Sequence, residues 1–293
     1  MYDDGDNNKN NNGEHESTSQ RSVQKRKRKE VAIFGNYRNY YGYRVGQDLK
    51  EDPRLKVFRK EFFEGKDCLD IGCNNGSITI AIAEKFFCQS ILGIDIDGDR
   101  IEDARWNLRK TVMMTTRKMP PKISKLKDEK GANGLKQSVT KPLTEATRET
   151  SGDCSPLQGR DLFDIISFEK GNFVRSWRSP ENKCYDTILC LSVTKWIHLN
   201  WGDDGLITLF ANIWRLLQQG GILILEPQPW NSYSKNRRVS ETAASNYQNI
   251  KIFPEDFQEI LMDKIGFRKV EDITSSLSGS NTGFDRPILA FWK

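Results

Sequence analysis

Hydrophobic and polar positions alternate from residue 66 onward in a way that predicts strands and helices in turn. Seven short apolar runs predict strands: DCLDIGC, ILGIDID, FDIISFEKGNF, YDTILCLSV, ILILEP, FRKVEDI and PILAFWK. Apolar residues at helical spacing predict helices in SITIAIAEKFF and DRIEDARWNLRK. Such alternation indicates an α/β fold with a doubly wound, mostly parallel seven-stranded sheet.

Two further helices carry recognisable end signals. In GLITLFANIWRLLQ, apolar residues recur at helical spacing over residues 206–217, and we expect Gly220 and Gly221 to end this helix. The segment PEDFQEILMDKIG begins with Pro254 and ends at Gly266. Proline at a first helical position and glycine just past the last are typical of a helix.

Two stretches interrupt the pattern. Residues 1–30 are polar and end in KRKRK, which predicts a disordered basic tail. The basic cluster is either a patch for nuclear import or nucleic-acid binding, or a solvated run of charges. Residues 111–160 lose apolar periodicity and are rich in Pro, Lys, Thr, Ser and Gly, which predicts a disordered insertion. The foldable domain is therefore expected over residues 31–293.

Composition narrows the classes of partner. The net charge of +5 permits an anionic partner without requiring one. No apolar run approaches the roughly 18 residues of a membrane-spanning helix, so we expect no membrane association. Six cysteines show no metal-binding spacing, and four lie in or beside apolar runs. We expect reduced thiols of an intracellular protein, with neither a disulfide framework nor a metal site.

The loop LDIGCNNG, residues 69–76, follows the first strand and opens a helix. Gly72 and Gly76 allow a tight turn beneath a ligand, and Asp95 ends the next strand, where an acid can accept hydrogen bonds from ribose hydroxyls. The loop lacks one glycine of a dinucleotide site, and Asp70 beside it would repel pyrophosphate but suit an ammonium group. The pattern favours S-adenosylmethionine, the alternative being a plain strand-to-helix turn with a surface acid.

Two aromatic and cationic segments are candidates for binding a substrate. In NYRNYYGYR, residues 36–44, tyrosine rings can stack on a base and arginines can bind phosphates. The segment precedes the first strand, so it could cover the mouth of the sheet; alternatively its rings only pack on the domain edge. In TKWIHLNWGDDG, a lysine and a histidine stand between two tryptophans just past a strand end, where α/β enzymes place their sites. The alternative is that these tryptophans only pack.

Six motifs occur in the order NYRNYYGYR, LDIGCNNG, GIDID, GNF, CLSVTKWIHLNWGDDGL and EPQPW. In order and spacing they resemble the Bicoid-interacting family of RNA methyltransferases. The resemblance implies a Rossmann-like class I methyltransferase fold and S-adenosylmethionine as cofactor. It also implies transfer of a methyl group to the terminal γ-phosphate at the 5′ end of a small nuclear RNA.

The resemblance assigns cofactor contacts by position. They fall on Tyr41, Arg54, Gly72, Cys73, Asn74, Asp95, Ile96, Asn172, Phe173 and Leu191. Phe173 stands where a tyrosine is common in the family, so this chain lacks a hydroxyl there.

The resemblance assigns contacts with the RNA end as well. They fall on Tyr40, Arg44, Lys195 and His198, with Trp196 and Trp201 shaping the pocket. A phosphate oxygen is already anionic, so its methylation requires alignment and cations rather than a general base. Of these cations, only the arginine offers bidentate geometry to a phosphate. Downstream, Lys235, Arg237 and Arg238 either contact the RNA backbone or are solvated charges.

We expect a nuclear enzyme that acts as a monomer, with ribonucleoprotein proteins among its partners, although the sequence leaves the oligomeric state open. Two alternatives stay open. One is a methyltransferase that acts on an RNA 5′-monophosphate, which differs in the depth of its acceptor pocket. The other is a non-catalytic RNA-binding scaffold, which the intact Gly72, Gly76 and Asp95 disfavour.

Overall fold

The computed structural model describes residues 32–38, 51–118, 161–274 and 286–293, which all belong to one unit, Ala32–Lys293. The tail predicted at residues 1–30 lies outside the described residues. Seven strands occur: β1 (Asp67–Ile71), β2 (Ser90–Asp95), β3 (Ile166–Lys170), β4 (Tyr185–Leu191), β5 (Leu217–Glu226), β6 (Lys269–Asp272) and β7 (Leu289–Trp292).

The strands form a single sheet in the order β3-β2-β1-β4-β5-β7-β6. The first five in this order run parallel to one another, whereas β7 runs antiparallel to both β5 and β6. This topology confirms the predicted doubly wound, mostly parallel seven-stranded sheet, with the Rossmann-like fold that the resemblance implies. It also brings the carboxyl ends of β1, β2 and β4 together at one edge, where open α/β sheets bind ligands.

Helices cover both faces of the sheet. They are α1 (Ser77–Phe86), α2 (Gly98–Lys118), α3 (Leu162–Ile165), α4 (Thr194–Leu216), α5 (Trp230–Asn236) and α6 (Glu241–Asn249). Short 3₁₀ turns occur at Pro53–Lys56, Lys60–Phe62, Pro180–Asn182 and Pro254–Asp256. One apolar cluster joins α1 and α2 to the sheet, and a second joins α4 to it, so the core lies in two layers. Burial of these clusters supplies the main driving force for the fold.

Two predicted helix ends are wrong. The second helix does not end near residue 110, because α2 continues to Lys118, eight residues into the predicted insertion. The predicted insertion's other residues, 119–160, lie outside the described part of the chain. Gly220 and Gly221 do not end α4, which stops at Leu216; both glycines lie in β5. The physical reason is that Leu217 is buried and pairs with Tyr185 across a register shift, so the chain is already extended there.

The segment from Pro254 is helical, as predicted, but of mixed type. A 3₁₀ turn leads into an α-helical turn at Phe257–Glu259 and a π-helical run at Ile260–Ile265. Gly266 ends it with a φ of 104°, a conformation that glycine adopts without steric cost.

The sequence pattern missed α5 and α6. Their exposed faces are polar, and only Tyr233 and Ala243 of these two helices are buried. Ser240 caps α6 by accepting a hydrogen bond from the Ala243 N–H at 3.0 Å. The two helices pack through a small cluster that includes Leu199 and Ile250. They matter because α5 ends beside the candidate site.

No helix in the described ranges is long and apolar enough to cross a membrane. Cys68, Cys73, Cys88 and Cys190 are buried free thiols, in agreement with the predicted reduced core cysteines.

Candidate functional site

An open cavity lies at the carboxyl edge of the sheet, and its empty space, open solvent included, is about 780 Å³. Seven of the predicted cofactor contacts line it: Gly72, Asn74, Asp95, Ile96, Asn172, Phe173 and Leu191. Trp196 and Trp201 line it too, as predicted for residues that shape the pocket. Its lining combines apolar side chains with a few polar groups, as is typical of small-molecule sites.

The glycine-rich loop forms the floor of the cavity. Gly72 has a φ of 74°, and a Cβ at this position would lie 2.4 Å from Cγ2 of Val193. Gly76, at a φ of 71°, begins α1, and a Cβ there would lie 2.6 Å from the Phe168 ring. Both positions therefore require glycine, and the loop backbone is open to a ligand.

Asp95 is held in place by the backbone. Its Oδ1 accepts the Asp97 N–H and its Oδ2 accepts the Asn74 N–H, each at 2.9 Å. Burial raises the pKa of Asp95, although the two backbone donors oppose this shift. An ionised carboxylate can accept about four hydrogen bonds. Each oxygen thus keeps capacity for one hydroxyl, as recognition of a ribose diol requires.

Asp70 does not face the cavity, contrary to prediction. Its side chain is buried, and its Oδ2 accepts the Thr79 hydroxyl of α1 at 2.6 Å. Side chains alternate across a strand, so the neighbours Leu69 and Ile71 point to the opposite face. Burial raises the pKa of Asp70 to about 6. The carboxyl group is therefore a core group and does not line the ligand cavity.

The described part of the aromatic segment lies over the cavity. Phe34, Gly35 and Asn36 line the cavity wall. The Phe34 ring stacks on Trp201 at 5.9 Å between centroids. Gly35 has a φ of 72°, and a Cβ there would lie 2.1 Å from Nε1 of Trp196, so only glycine fits. Of the predicted covering segment, residues 36–44, the structure describes residues 36–38, and of these Asn36 lines the cavity; the covering role of the others stays a prediction.

Asn36 and Tyr37 attach this segment to the loops below it. The Asn36 carboxamide N–H donates to Asp97, and its Oδ1 is buried without a partner among the described residues. The Tyr37 carbonyl accepts the Asn74 side-chain N–H at 3.3 Å, and its ring meets Trp196 edge to face. Tyr40, Tyr41 and Arg44 lie outside the described residues, so their roles stay predictions.

Lys195 lies beside the cavity rather than on its wall. Its ammonium is 4.6 Å from the centre of the Trp196 ring, which does line the cavity. It donates to Oδ1 of Asn236, at the end of α5, at 2.8 Å. The Lys195 side chain is only 7% exposed. A buried ammonium held between an aromatic ring and an amide is favourably placed for an anionic ligand.

His198 is not available to a ligand in this structure, contrary to prediction. The side chain is 0% exposed. Its Nε2 lies 2.7 Å from Oδ1 of Asp203 and its Nδ1 lies 3.4 Å from the Tyr233 hydroxyl. Burial lowers the pKa of His198, against the opposing effect of Asp203. Its position in the first half of α4 turns the ring inward, where it joins α4 to α5.

A profile of the Bicoid-interacting protein 3 (Bin3) family matches residues 185–293. A probable RNA methyltransferase of Arabidopsis thaliana is 61% identical over 92% of this chain and 83% of its own length. The chain belongs to the Bin3 family. The U6 snRNA methylphosphate capping enzyme Amus of Drosophila melanogaster is 35% identical over 89% of this chain and 74% of its own length. The human 7SK snRNA methylphosphate capping enzyme is 39% identical over 89% of this chain, which spans only 39% of that enzyme.

Family membership confirms the resemblance drawn from the motifs. Together with the sheet topology, it makes this Bin3-family chain an S-adenosylmethionine-dependent methyltransferase. The cavity at the carboxyl edge of the sheet fits such a cofactor. Gly72 leaves room for it, Asp95 keeps free acceptor capacity, and the buried Oδ1 of Asn36 can accept a further hydrogen bond.

Two predicted cofactor residues of this Bin3-family chain lie behind the cavity wall. Arg54 is 2% exposed and pairs with Asp52 at 2.7 Å and with Glu226 at 3.1 Å. Cys73 is fully buried, and its Sγ lies 3.7 Å from the Asn74 carbonyl. Their direct contact with the cofactor stays a prediction.

Sequence reasoning missed Gln228, in EPQPW. Its Oε1 accepts the Thr194 hydroxyl at 3.0 Å and the Lys195 N–H at 3.1 Å, and its Nε2 donates to the Ser192 carbonyl. Gln228 thereby fixes the turn between β4 and α4. An amide between two prolines after a buried strand was the available clue, since a buried amide must find partners.

Proposed function

We propose that this chain methylates the 5′ end of a small nuclear RNA at the terminal γ-phosphate of a triphosphate. The observation that carries the proposal is the Lys195 ammonium, buried against Trp196 at the edge of the cofactor cavity. The names of the human and fly relatives support an snRNA as the acceptor. A nuclear location follows from that substrate, and KRKRK at residues 25–29 would serve as an import sequence.

Residues from three loops would hold the cofactor. Asp95 would accept the ribose hydroxyls, and Asn36 would accept one further donor group. Gly72 and Asn74 would contact the cofactor through the glycine-rich loop. When bound, S-adenosylmethionine would supply a methyl group on a positively charged sulfur, and this sulfur would be the leaving group when the phosphate oxygen takes the methyl group.

The acceptor phosphate needs charge neutralisation and alignment. Lys195 would pair with a phosphate oxygen, and its bonds to Asn236 and Trp196 limit its orientations before the RNA arrives. Such preorganisation lowers the entropy lost on reaching the reactive geometry. No residue has to remove a proton, because the attacking oxygen is already anionic. This agrees with the buried position of His198.

One RNA sequence in three forms tests the proposal: triphosphate, monophosphate and hydroxyl ended. Purified protein and methyl-labelled S-adenosylmethionine should label the triphosphate RNA most strongly. Preference for the monophosphate form would overturn the γ-phosphate assignment in favour of the 5′-monophosphate alternative. Binding of all three forms without transfer would indicate a scaffold. Lys195→Ala should lower transfer strongly and leave cofactor affinity near that of the wild type, as measured by calorimetry.

A further inference from the structure

The end of α5 carries a group of cations that neither the fold nor the cofactor cavity explains. Lys235 and Arg238 are exposed, and Arg237 is half-buried. Among the described residues, no ion pair or hydrogen bond engages these three side chains. By contrast, Arg59 and Arg105 pair with nearby acids.

The surrounding segment is electropositive. Residues 229–253 contain four basic residues and one acidic residue, a balance of +3 within a chain whose net charge is +5. The single acid, Glu241, lies in the first turn of α6, where the helix dipole favours it. Cations thus outnumber acids within this segment, which raises the positive potential of its surface.

Aromatic rings support the central cation. The Arg237 guanidinium carbon lies 5.4 Å from the centre of the Tyr247 ring. Tyr247 stacks on Trp230 at 5.0 Å, with an angle of 4° between the two rings. Phe253 meets the same Trp230 edge to face and is 38% exposed. Cations interleaved with ring surfaces are typical of proteins that bind nucleic-acid strands.

This surface is continuous with the candidate acceptor site. Asn236 accepts the Lys195 ammonium at 2.8 Å, and it stands between Lys235 and Arg237 in the chain. The Cα atoms of Lys235 and Arg237 each lie about 3.8 Å from the Cα atom of Asn236, whose side chain holds Lys195. The group of cations therefore begins directly beside the candidate phosphate site. A helix C-terminus alone favours cations, but it does not explain the stacked rings or the contact with Lys195.

We propose that the surface formed by Lys235, Arg237, Arg238 and the Trp230–Tyr247 pair binds the RNA backbone just downstream of the 5′ end. This inference rests on the proposed function, because it assumes that the 5′ phosphate lies at Lys195. RNA is favoured over an acidic protein because the surface leads directly from the phosphate site. The cations would neutralise successive phosphates and position the 5′ end at the cavity.

The test compares a 5′-triphosphorylated dinucleotide with an unstructured 5′-triphosphorylated oligonucleotide of the same starting sequence. The variant K235Q/R238Q should raise KM for the oligonucleotide by a larger factor than KM for the dinucleotide, because the dinucleotide offers the surface a single phosphodiester. Losing two phosphate contacts should lower the slope of log Kd against the logarithm of salt concentration by about 1.4, because each phosphate of a single strand contributes about 0.7 to that slope. The variant K264Q/R268Q is the matched control, because it also removes one exposed lysine and one exposed arginine.

Direct binding of the oligonucleotide, measured by fluorescence anisotropy, separates the two proposals. Weaker binding by K235Q/R238Q alone supports the surface, even if the wild-type protein transfers no methyl group and the proposed function fails. Equal affinity and equal salt dependence in the wild type, K235Q/R238Q and the control variant would overturn the surface. So would equal losses in both double variants, which would show a general charge effect.

Discussion

Replacing Arg54 with methionine separates a structural role of this side chain from direct cofactor binding. Arg54 is 2% exposed and Glu226 is 1% exposed, and their charged groups lie 3.1 Å apart. Asp52, at 2.7 Å, is also nearly buried. Removing one partner of a buried ion pair costs roughly 3–5 kcal/mol, because the other charge loses its compensation in a region of low polarity. We therefore expect Arg54→Met to lower the free energy of unfolding by about this amount.

The assay is urea unfolding followed by tryptophan fluorescence, in which a lower midpoint at an unchanged slope reports lost stability. Arg59→Met is the matched control. Arg59 pairs with Glu271 at 3.0 Å, but the two side chains are 40% and 36% exposed. Exposed pairs contribute about 0–1 kcal/mol, so this variant should unfold almost like the wild type.

Two outcomes would refute the reasoning about Arg54. If Arg54→Met and Arg59→Met unfold alike, the buried pair does not stabilise the fold. If Arg54→Met keeps its stability but loses affinity for S-adenosylmethionine in calorimetry, the side chain acts through a direct contact with the cofactor. The double variant Arg54→Met/Glu226→Gln should regain part of the stability, because it removes both charges of the pair.

Three further substitutions probe the glycine loop, the buried acid and the buried histidine. Gly72→Ala places a methyl group 2.4 Å from Val193 at a φ of 74°, and it should weaken cofactor binding at least about tenfold. Gly65→Ala is the control, because Gly65 has a φ of 65° but lies in open space, and it should leave cofactor binding unchanged. Equal cofactor affinities of the two variants in calorimetry would contradict the need for glycine at position 72. Because the folded pKa of Asp70 is raised from 3.8 to about 6, its neutral form favours folding, and wild-type stability should fall as pH rises through this window. The advantage of Asp70→Asn in chemical denaturation should therefore grow by about 1.4 kcal/mol from about pH 5 to about pH 7.5, and a constant difference would refute the raised pKa. His198→Gln should lower unfolding stability by about 1–3 kcal/mol and leave RNA affinity unchanged; the opposite result would restore a direct RNA contact.

The central strands of the sheet, β1 and β4, were predictable from sequence because they are buried on both faces. Continuous apolar runs such as DCLDIGC and ILILEP are typical of the central strands of a parallel sheet, which helices cover on both faces. The glycine loop was predictable for a related reason. Gly72 and Gly76 adopt positive φ angles that few other residues tolerate, so the residue type itself indicates the turn.

The orientation of polar side chains was less predictable. Asp70 and Asp95 both lie at or near the carboxyl ends of their strands, yet Asp70 points toward α1 and Asp95 lines the cavity. Likewise, Lys195 and His198 lie three residues apart in α4, but only Lys195 reaches the Trp196 ring beside the cavity. Such differences depend on which face each backbone position presents to its tertiary neighbours. Residue type and local spacing do not determine this.

The segment that contains Asn36 and Tyr37 contacts both the cofactor side of the candidate site, near Asp95, and its phosphate side, near Lys195. At one end, Asn36 donates to Asp97, two residues beyond the Asp95 carboxylate that would hold the ribose. At the other, the Tyr37 hydroxyl accepts the Asn236 side-chain N–H at 3.3 Å, and Asn236 holds the Lys195 ammonium. A displacement of this segment would therefore disturb the cofactor side and the phosphate side together. Methyl transfer requires a fixed distance between the methyl donor and the phosphate acceptor. This distance thus depends on Asn36 and Tyr37, which belong to neither the glycine-rich loop nor α4.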